Sequence, residues 1–137
     1  MSDINYTAIL PQGWARARGY SYAVRAEGRR VVQIAGQTAN KDGAPKVDAA
    51  LDFGQQWYLS LENGVTLARE AGGAAENITA LRVYVTNLQE FNTAAKAVGE
   101  AWMRRMGKHF PAMTLVQVSA LVDPNAKVEI EAEAVLA

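Results

Sequence analysis

The clearest alternation in the chain lies near its end, in "VEIEAEAVL", Val128–Leu136. In an extended strand successive side chains point to opposite faces. Val128, Ile130, Ala132 and Ala134 then share one face, and Glu129, Glu131 and Glu133 share the other. Three carboxylates in a row repel one another, so this strand needs neighbours that answer its charge. "NITALRVYVTNL" has the same two-residue period. Leu81, Val83 and Val85 lie on one face, with Arg82, Tyr84 and Thr86 on the other, as in a strand with one buried side. "MTLVQVSAL" reads as a further strand, joined to the last by the turn "VDPNA". Upstream, "YSYAVRAEGRRVVQIAG" reads as a hairpin of two short strands turning at residues 27–29. An extended arm carrying Pro11 and Gly13 precedes it.

Two stretches switch to helical spacing. Across residues 49–71 the apolar positions Leu51, Trp57, Leu61, Val65 and Ala68 form one stripe. Asp48 is the expected N-cap, and Gly72 and Gly73 end the helix. In the second, Asn87 with Glu90 three residues later resembles a capping box. Leu88, Phe91, Ala95, Val98, Trp102 and Met106 form its stripe, and Gly107 stops it.

The order β-β-α-β-α-β-β predicts an α+β fold, with one mixed sheet and both helices packed on one face. The other sheet face would carry Arg82, Tyr84, Gln117, Glu129, Glu131 and Glu133, together with apolar Met113 and Leu115. A face that mixes rows of charge with apolar residues suggests a subunit interface enclosing a wet cleft.

Composition narrows the function. At 137 residues the chain is expected to be a single domain over 1–137, burying roughly two-thirds of its unfolded surface. Lys plus Arg equals Asp plus Glu at 14 each, which leaves no field for nucleic acid. The absence of cysteine excludes disulfides, thiol catalysis and cysteine-ligated zinc. "MSDINYTAILPQGW" has no basic start followed by an apolar run, so no signal peptide is expected. No stretch approaches the ~18 apolar residues of a membrane helix. A cytoplasmic protein with no cofactor, no metal and no membrane partner is expected.

Several short motifs, in order, carry a family resemblance. "HFPAMTLVQVSALVDPNAKVEIEAEA" is similar to the C-terminal signature of the Rid family, the reactive intermediate deaminases also called YjgF or endoribonuclease L-PSP. That signature is a Pro-Ala-Arg run, a strand, a short turn, then a hydrophobic-Glu-hydrophobic-Glu strand. "GYSYAV" resembles the family's Tyr-containing first strand, and "IAGQT" its Ser-Gly-Gln motif, with Ala35 for the Ser. "LENGVTLAREAGG" and "FNTAAKAV" fall in register, so the similarity spans roughly residues 16–135.

The resemblance implies a chorismate-mutase-like fold and a homotrimer whose sheets close an inner barrel. Three small-molecule sites would lie in the intersubunit clefts. By position the site would contain Tyr20, the backbone around Gly36, Asn92 and Glu129. In active members the Glu holds a water against the imine or enamine carbon, and the Arg after Pro-Ala grips the substrate carboxylate. Here Met113 stands at that Arg. A thioether cannot make a guanidinium's bidentate charged hydrogen bonds.

Two readings follow. One is a hydrolytic imine or enamine deaminase whose substrate lacks the usual carboxylate, with Glu129 catalytic and Tyr20, Gly36, Asn92 and Met113 lining the site. The other is a non-catalytic ligand-binding or scaffold member that has lost the chemistry. The basic clusters in "RARGY" and "MRRMGK" read as solvated ends, and the one histidine, His109, as a surface loop residue. The sharper idea is that His109 or Lys108 supplies part of the missing cation.

Overall fold

The computed structural model of the chain describes residues 4–137. The opening of the N-terminal stretch, on which the absence of a leader was expected, lies outside the described residues.

The strands are β1 (Asn5–Ile9), β2 (Ala23–Glu27), β3 (Arg30–Gln37), β4 (Ile78–Val85), β5 (Ala112–Gln117) and β6 (Val128–Leu136). The helices are α1 (Phe53–Glu70), α2 (Leu88–Thr93) and α3 (Ala95–Arg105). A four-stranded mixed sheet runs β3-β6-β4-β5, with β5 parallel to β4 and the other pairs antiparallel. β1 and β2 form a separate antiparallel ribbon. The α+β expectation therefore stands.

The alternation in β4 and β6 places Leu81, Val83, Val85, Val128, Ile130, Ala132 and Ala134 in the core, each at most 3% exposed. Against them α1 buries Phe53, Trp57, Leu61, Val65 and Ala68, and α3 buries Ala101 and Trp102.

Five local expectations change. The hairpin at residues 27–29 does not pair its own strands. The Arg29 N–H donates to the Leu136 carbonyl at 2.9 Å, which seats β3 along β6. β2 pairs instead with β1, which forms within the arm expected to be merely extended. The first helix starts at Phe53, because Asp52 and not Asp48 is its cap. Asp52 Oδ1 accepts the Gln55 N–H at 2.8 Å, and the Asp52 N–H donates to Gln55 Oε1 at 2.9 Å, closing a capping box. Asp48 makes only a local turn, accepting the Ala50 N–H.

The second helix is two, broken at Ala94. Asn87 caps α2 by accepting the Gln89 and Glu90 N–H groups, but Glu90 pairs with Lys127 at 3.1 Å and does not complete a box. Leu88 consequently stays exposed and the buried stripe begins at Phe91. The "MTLVQVSAL" strand is shorter than its apolar run and ends at Gln117.

The fifth change concerns the faces of the sheet. β5 runs parallel to β4 with Met113 opposite Leu81, Leu115 opposite Val83 and Gln117 opposite Val85. Residues opposite one another in a sheet share a face. Met113 and Leu115 therefore pack against the helix-covered core, and Gln117 accepts the Leu88 N–H there at 2.9 Å. Thr114 and Val116 take the open face beside Arg82 and Tyr84.

Candidate functional site

The glutamate row meets different partners along its length. In the β4–β6 register Arg82 lies opposite Glu131 and Tyr84 opposite Glu129. The Arg82 guanidinium reaches sideways to two carboxylates, 3.7 Å to Glu131 and a shorter ion pair to Glu133. Gln33, opposite Glu133 on β3, donates to it at 3.2 Å. The Tyr84 hydroxyl donates to Glu131. The Arg82 hydrogen bond, and then that of Gln33, hold the Glu133 carboxyl below its ordinary pKa. The Tyr84 phenol is raised, first because its proton is shared with Glu131 and then by desolvation.

Glu129 differs. Among the described residues no hydrogen bond or ion pair to its carboxylate forms. It sits under a β-bulge. The β3–β6 register passes from Ile34 opposite Ala132 to Gln37 opposite Ile130, which leaves one extra residue on β3 around Ala35 and Gly36. A Cβ on Gly36 would lie 2.0 Å from Glu129 Oε2. The bulge and the missing side chain together make the space this carboxylate occupies.

Gly36 and Glu129 are thus brought together, while the other expected site residues lie elsewhere in the chain. Tyr20 lines a basin of about 890 Å³ formed by the N-terminal arm, β1 and residues 108–110. This region joins the sheet at the outer edge of β5, where the Ser21 N–H donates to the Pro111 carbonyl at 3.0 Å. Met113 is on the helix face of β5, two strands from β6 or about 10 Å across the sheet, and on the opposite side from Glu129. Asn92 is exposed on α2. His109 is half-buried. Its Nε2 lies 2.7 Å from the Ile78 carbonyl, so that nitrogen carries the proton, and its ring packs on Tyr6 at 4.7 Å.

The basin around Tyr20 was not foreseen as a concavity. Its sequence signal is the aromatic spacing Trp14, Tyr20, Tyr22 around the basic "RARG", and the ribbon that turns this spacing into a wall depends on the β1–β2 pairing. Among the described residues no group of three or more His, Asp or Glu side chains is placed to hold a metal ion, and no helix is long and apolar enough to cross a membrane.

Fold and comparison agree on the class. Residues 12–136 match the model of the family described as Endoribonuclease L-PSP, and the chain belongs to that family, the Rid or YjgF proteins. A Rid-family protein of unknown function from Yersinia pestis is 29% identical, with a TM-score of 0.84, 96% of this chain and 99% of that one being covered. Rv2704 of Mycobacterium tuberculosis, a member of the YjgF/YER057c/UK114 family, is 30% identical at a TM-score of 0.62, with 96% and 100% covered. TdcF of E. coli, solved with bound serine, is 27% identical at a TM-score of 0.67, with 96% and 99% covered. No curated protein matches the chain.

Proposed function

We propose that this protein is a hydrolytic deaminase of imines or enamines that lack the usual carboxylate contact, working as a homotrimer with a small-molecule site in each intersubunit cleft. The observation that carries this reading is Glu129, the one carboxylate of its row with no protein hydrogen bond or ion pair among the described residues, seated against Gly36. A carboxylate so placed accepts a proton from water as the water oxygen bonds to the imine carbon. The same proton passes to the nitrogen and gives a carbinolamine; Glu129 then takes the carbinolamine hydroxyl proton and hands it to the nitrogen as the carbon–nitrogen bond breaks, so that ammonia leaves and a carbonyl product remains. The bound serine of TdcF supports a ligand of amino-acid size.

The trimer is supported by where the site residues sit. Gly36 and Glu129 lie toward the β3 edge of the sheet, while Tyr20 lies by the β5 edge. One site containing both halves needs the β5 edge of one copy beside the β3 side of the next, a head-to-tail contact that closes into a ring. The open sheet face also exposes Val31 at 65% and Val116 at 42%, as a buried interface would require.

The second reading is a ligand-binding member without chemistry. Met113 in place of the family's Arg favours it. A ribonuclease is disfavoured by the formal net charge of zero.

The test supplies imines generated in situ from amino acids and from the corresponding amines, and follows ammonia release. Wild type should accelerate hydrolysis of the uncharged imines, and Glu129→Gln should lose about 100-fold or more, in the range of general-base effects. Light scattering of both proteins should give three times the 14.8 kDa chain mass. Absence of acceleration on every imine, or full activity in Glu129→Gln, rejects the deaminase and leaves the binding role. A single-chain mass rejects the shared cleft.

A further inference from the structure

Glu129 owes its place to the bulge of β3, and a bulge has to be held. Its extra residue breaks the ladder and leaves backbone groups unpaired. If the bulge were lost, the residues after it would move by one and each side chain would turn to the other face. The two sides of the bulge are anchored separately. Ile34, before it, is 5% exposed in the main core. Ala39, after it, is 2% exposed in a second, smaller core with Val47 and Ala126. Along an unbroken strand residues five apart point to opposite faces, and the extra residue corrects that phase so that both are buried. From α1, Asn63 Nδ2 donates to the Thr38 carbonyl at 3.1 Å and to the Asn40 carbonyl at 2.9 Å, which pins the segment leaving β3.

Inside the bulge the fastening comes from Gln37. The register pairs neither Ala35 nor Gly36 with a residue of β6. Gln37 Nε2 donates to the Ala35 carbonyl at 3.0 Å, so the side chain supplies a donor across the break in the ladder. An amide can do this, whereas a thioether of similar length has no hydrogen to give. The link to Glu129 is steric. Its carboxylate fills the space where a Cβ on Gly36 would stand 2.0 Å from Oε2. A slip of one residue sets Ala35 or Gln37 in that place, and each brings a Cβ into the carboxylate's space.

We infer that Gln37 is a positioning residue for Glu129: its amide holds the bulge at residues 35–36, and the bulge keeps Gly36 against the carboxylate. The consequence for rate rests on the deaminase reading, while the placement of the carboxylate does not.

Gln37→Met keeps the length and bulk of the side chain and removes the donor. Gln37 is half-buried at the end of β3, so the variant folds, with a melting temperature within a few degrees of wild type. Amide hydrogen exchange at residues 35–38 should rise about 10-fold, as for the loss of one hydrogen bond, and the Glu129 carboxyl carbon signal should move. Gln33→Met is the control. It removes the 3.2 Å bond to Glu133 on the same strand, ahead of the bulge, and should leave both readouts as in wild type. Imine hydrolysis by Gln37→Met should fall about 10-fold in kcat with little change in KM, because a displaced carboxylate weakens the chemical step and not binding. Wild-type exchange and an unmoved Glu129 signal in Gln37→Met overturn the assignment. So does an equal effect of Gln33→Met, or an unchanged kcat in an active protein. If both structural readouts move and wild type hydrolyses no imine, the hold on the carboxylate is upheld and the deaminase reading alone falls.

Discussion

Gly36→Ala isolates the poise of Glu129 from its presence. An added Cβ would stand 2.0 Å from Glu129 Oε2, 2.8 Å from its Cδ and 2.9 Å from its Cγ. Ordinary contact begins at 3.4 Å, so the oxygen must retreat by 3.4 − 2.0 = 1.4 Å. The side chain can give way because its carboxylate has no protein hydrogen bond to lose. The rotamer change costs about 0.5–1.5 kcal/mol. Removing a glycine from a strand returns about 0.5–1 kcal/mol. The net change in stability should stay within about 1 kcal/mol, or a few degrees of melting temperature. Chemistry is less forgiving, since a displacement of about 1 Å in a positioned group costs on the order of 100-fold. The carboxyl carbon signal of Glu129 in NMR should move, and imine hydrolysis should fall about 100-fold while the fold persists. Gly28→Ala is the contrasting control. Its Cβ would meet the Leu136 carbonyl oxygen at 2.4 Å and Val135 Cγ1 at 2.5 Å, where backbone cannot swing aside, so it should cost about 1–3 kcal/mol of stability. If Gly36→Ala leaves both the Glu129 signal and activity unchanged, the carboxylate is not held in the bulge. If it destabilises as much as Gly28→Ala, the side chain is not free to move.

Two further outcomes test the frame. Trp57, 1% exposed at the centre of the helix–sheet core, should cost about 3–5 kcal/mol when changed to Ala, read by denaturant unfolding; a loss below about 1 kcal/mol would show that the core is not packed around it. Glu133 has its folded pKa lowered, chiefly by Arg82, so its contribution to stability is present above the unfolded carboxyl pKa and fades as pH falls through the folded one. Arg82→Gln should therefore flatten the acid limb of a melting-temperature profile, and an unchanged profile would show that Arg82 does not answer the glutamate row.

The sequence by itself determined the phase of each element. The two-residue period of Val128–Leu136 put its small and branched residues on one side and its glutamates on the other, and the structure buries the first set. The stripe from Trp57 to Ala68 likewise named the inner face of α1. "IAGQT" and "VEIEAEA" come together where the bulge of β3 meets β6, which sets Gly36 against Glu129. Phase within a strand does not say which of its two faces turns inward, nor how it registers with a neighbour. Met113, Leu115 and Gln117 alternate with Thr114 and Val116, and both sets mix polar with apolar residues. Only the parallel pairing of Met113 with Leu81 decided that Met113 faces the helices. Three equivalent glutamates likewise look alike along the chain. Arg82 could reach two of them only because the antiparallel register set it opposite Glu131, and the bulge at Gly36 left the third unpaired. Partner strands followed the same rule, since β2 and β3 are adjacent in sequence yet pair with β1 and β6. Backbone ladders are long-range contacts whose choice depends on the whole sheet competing for edges, which a local pattern does not contain.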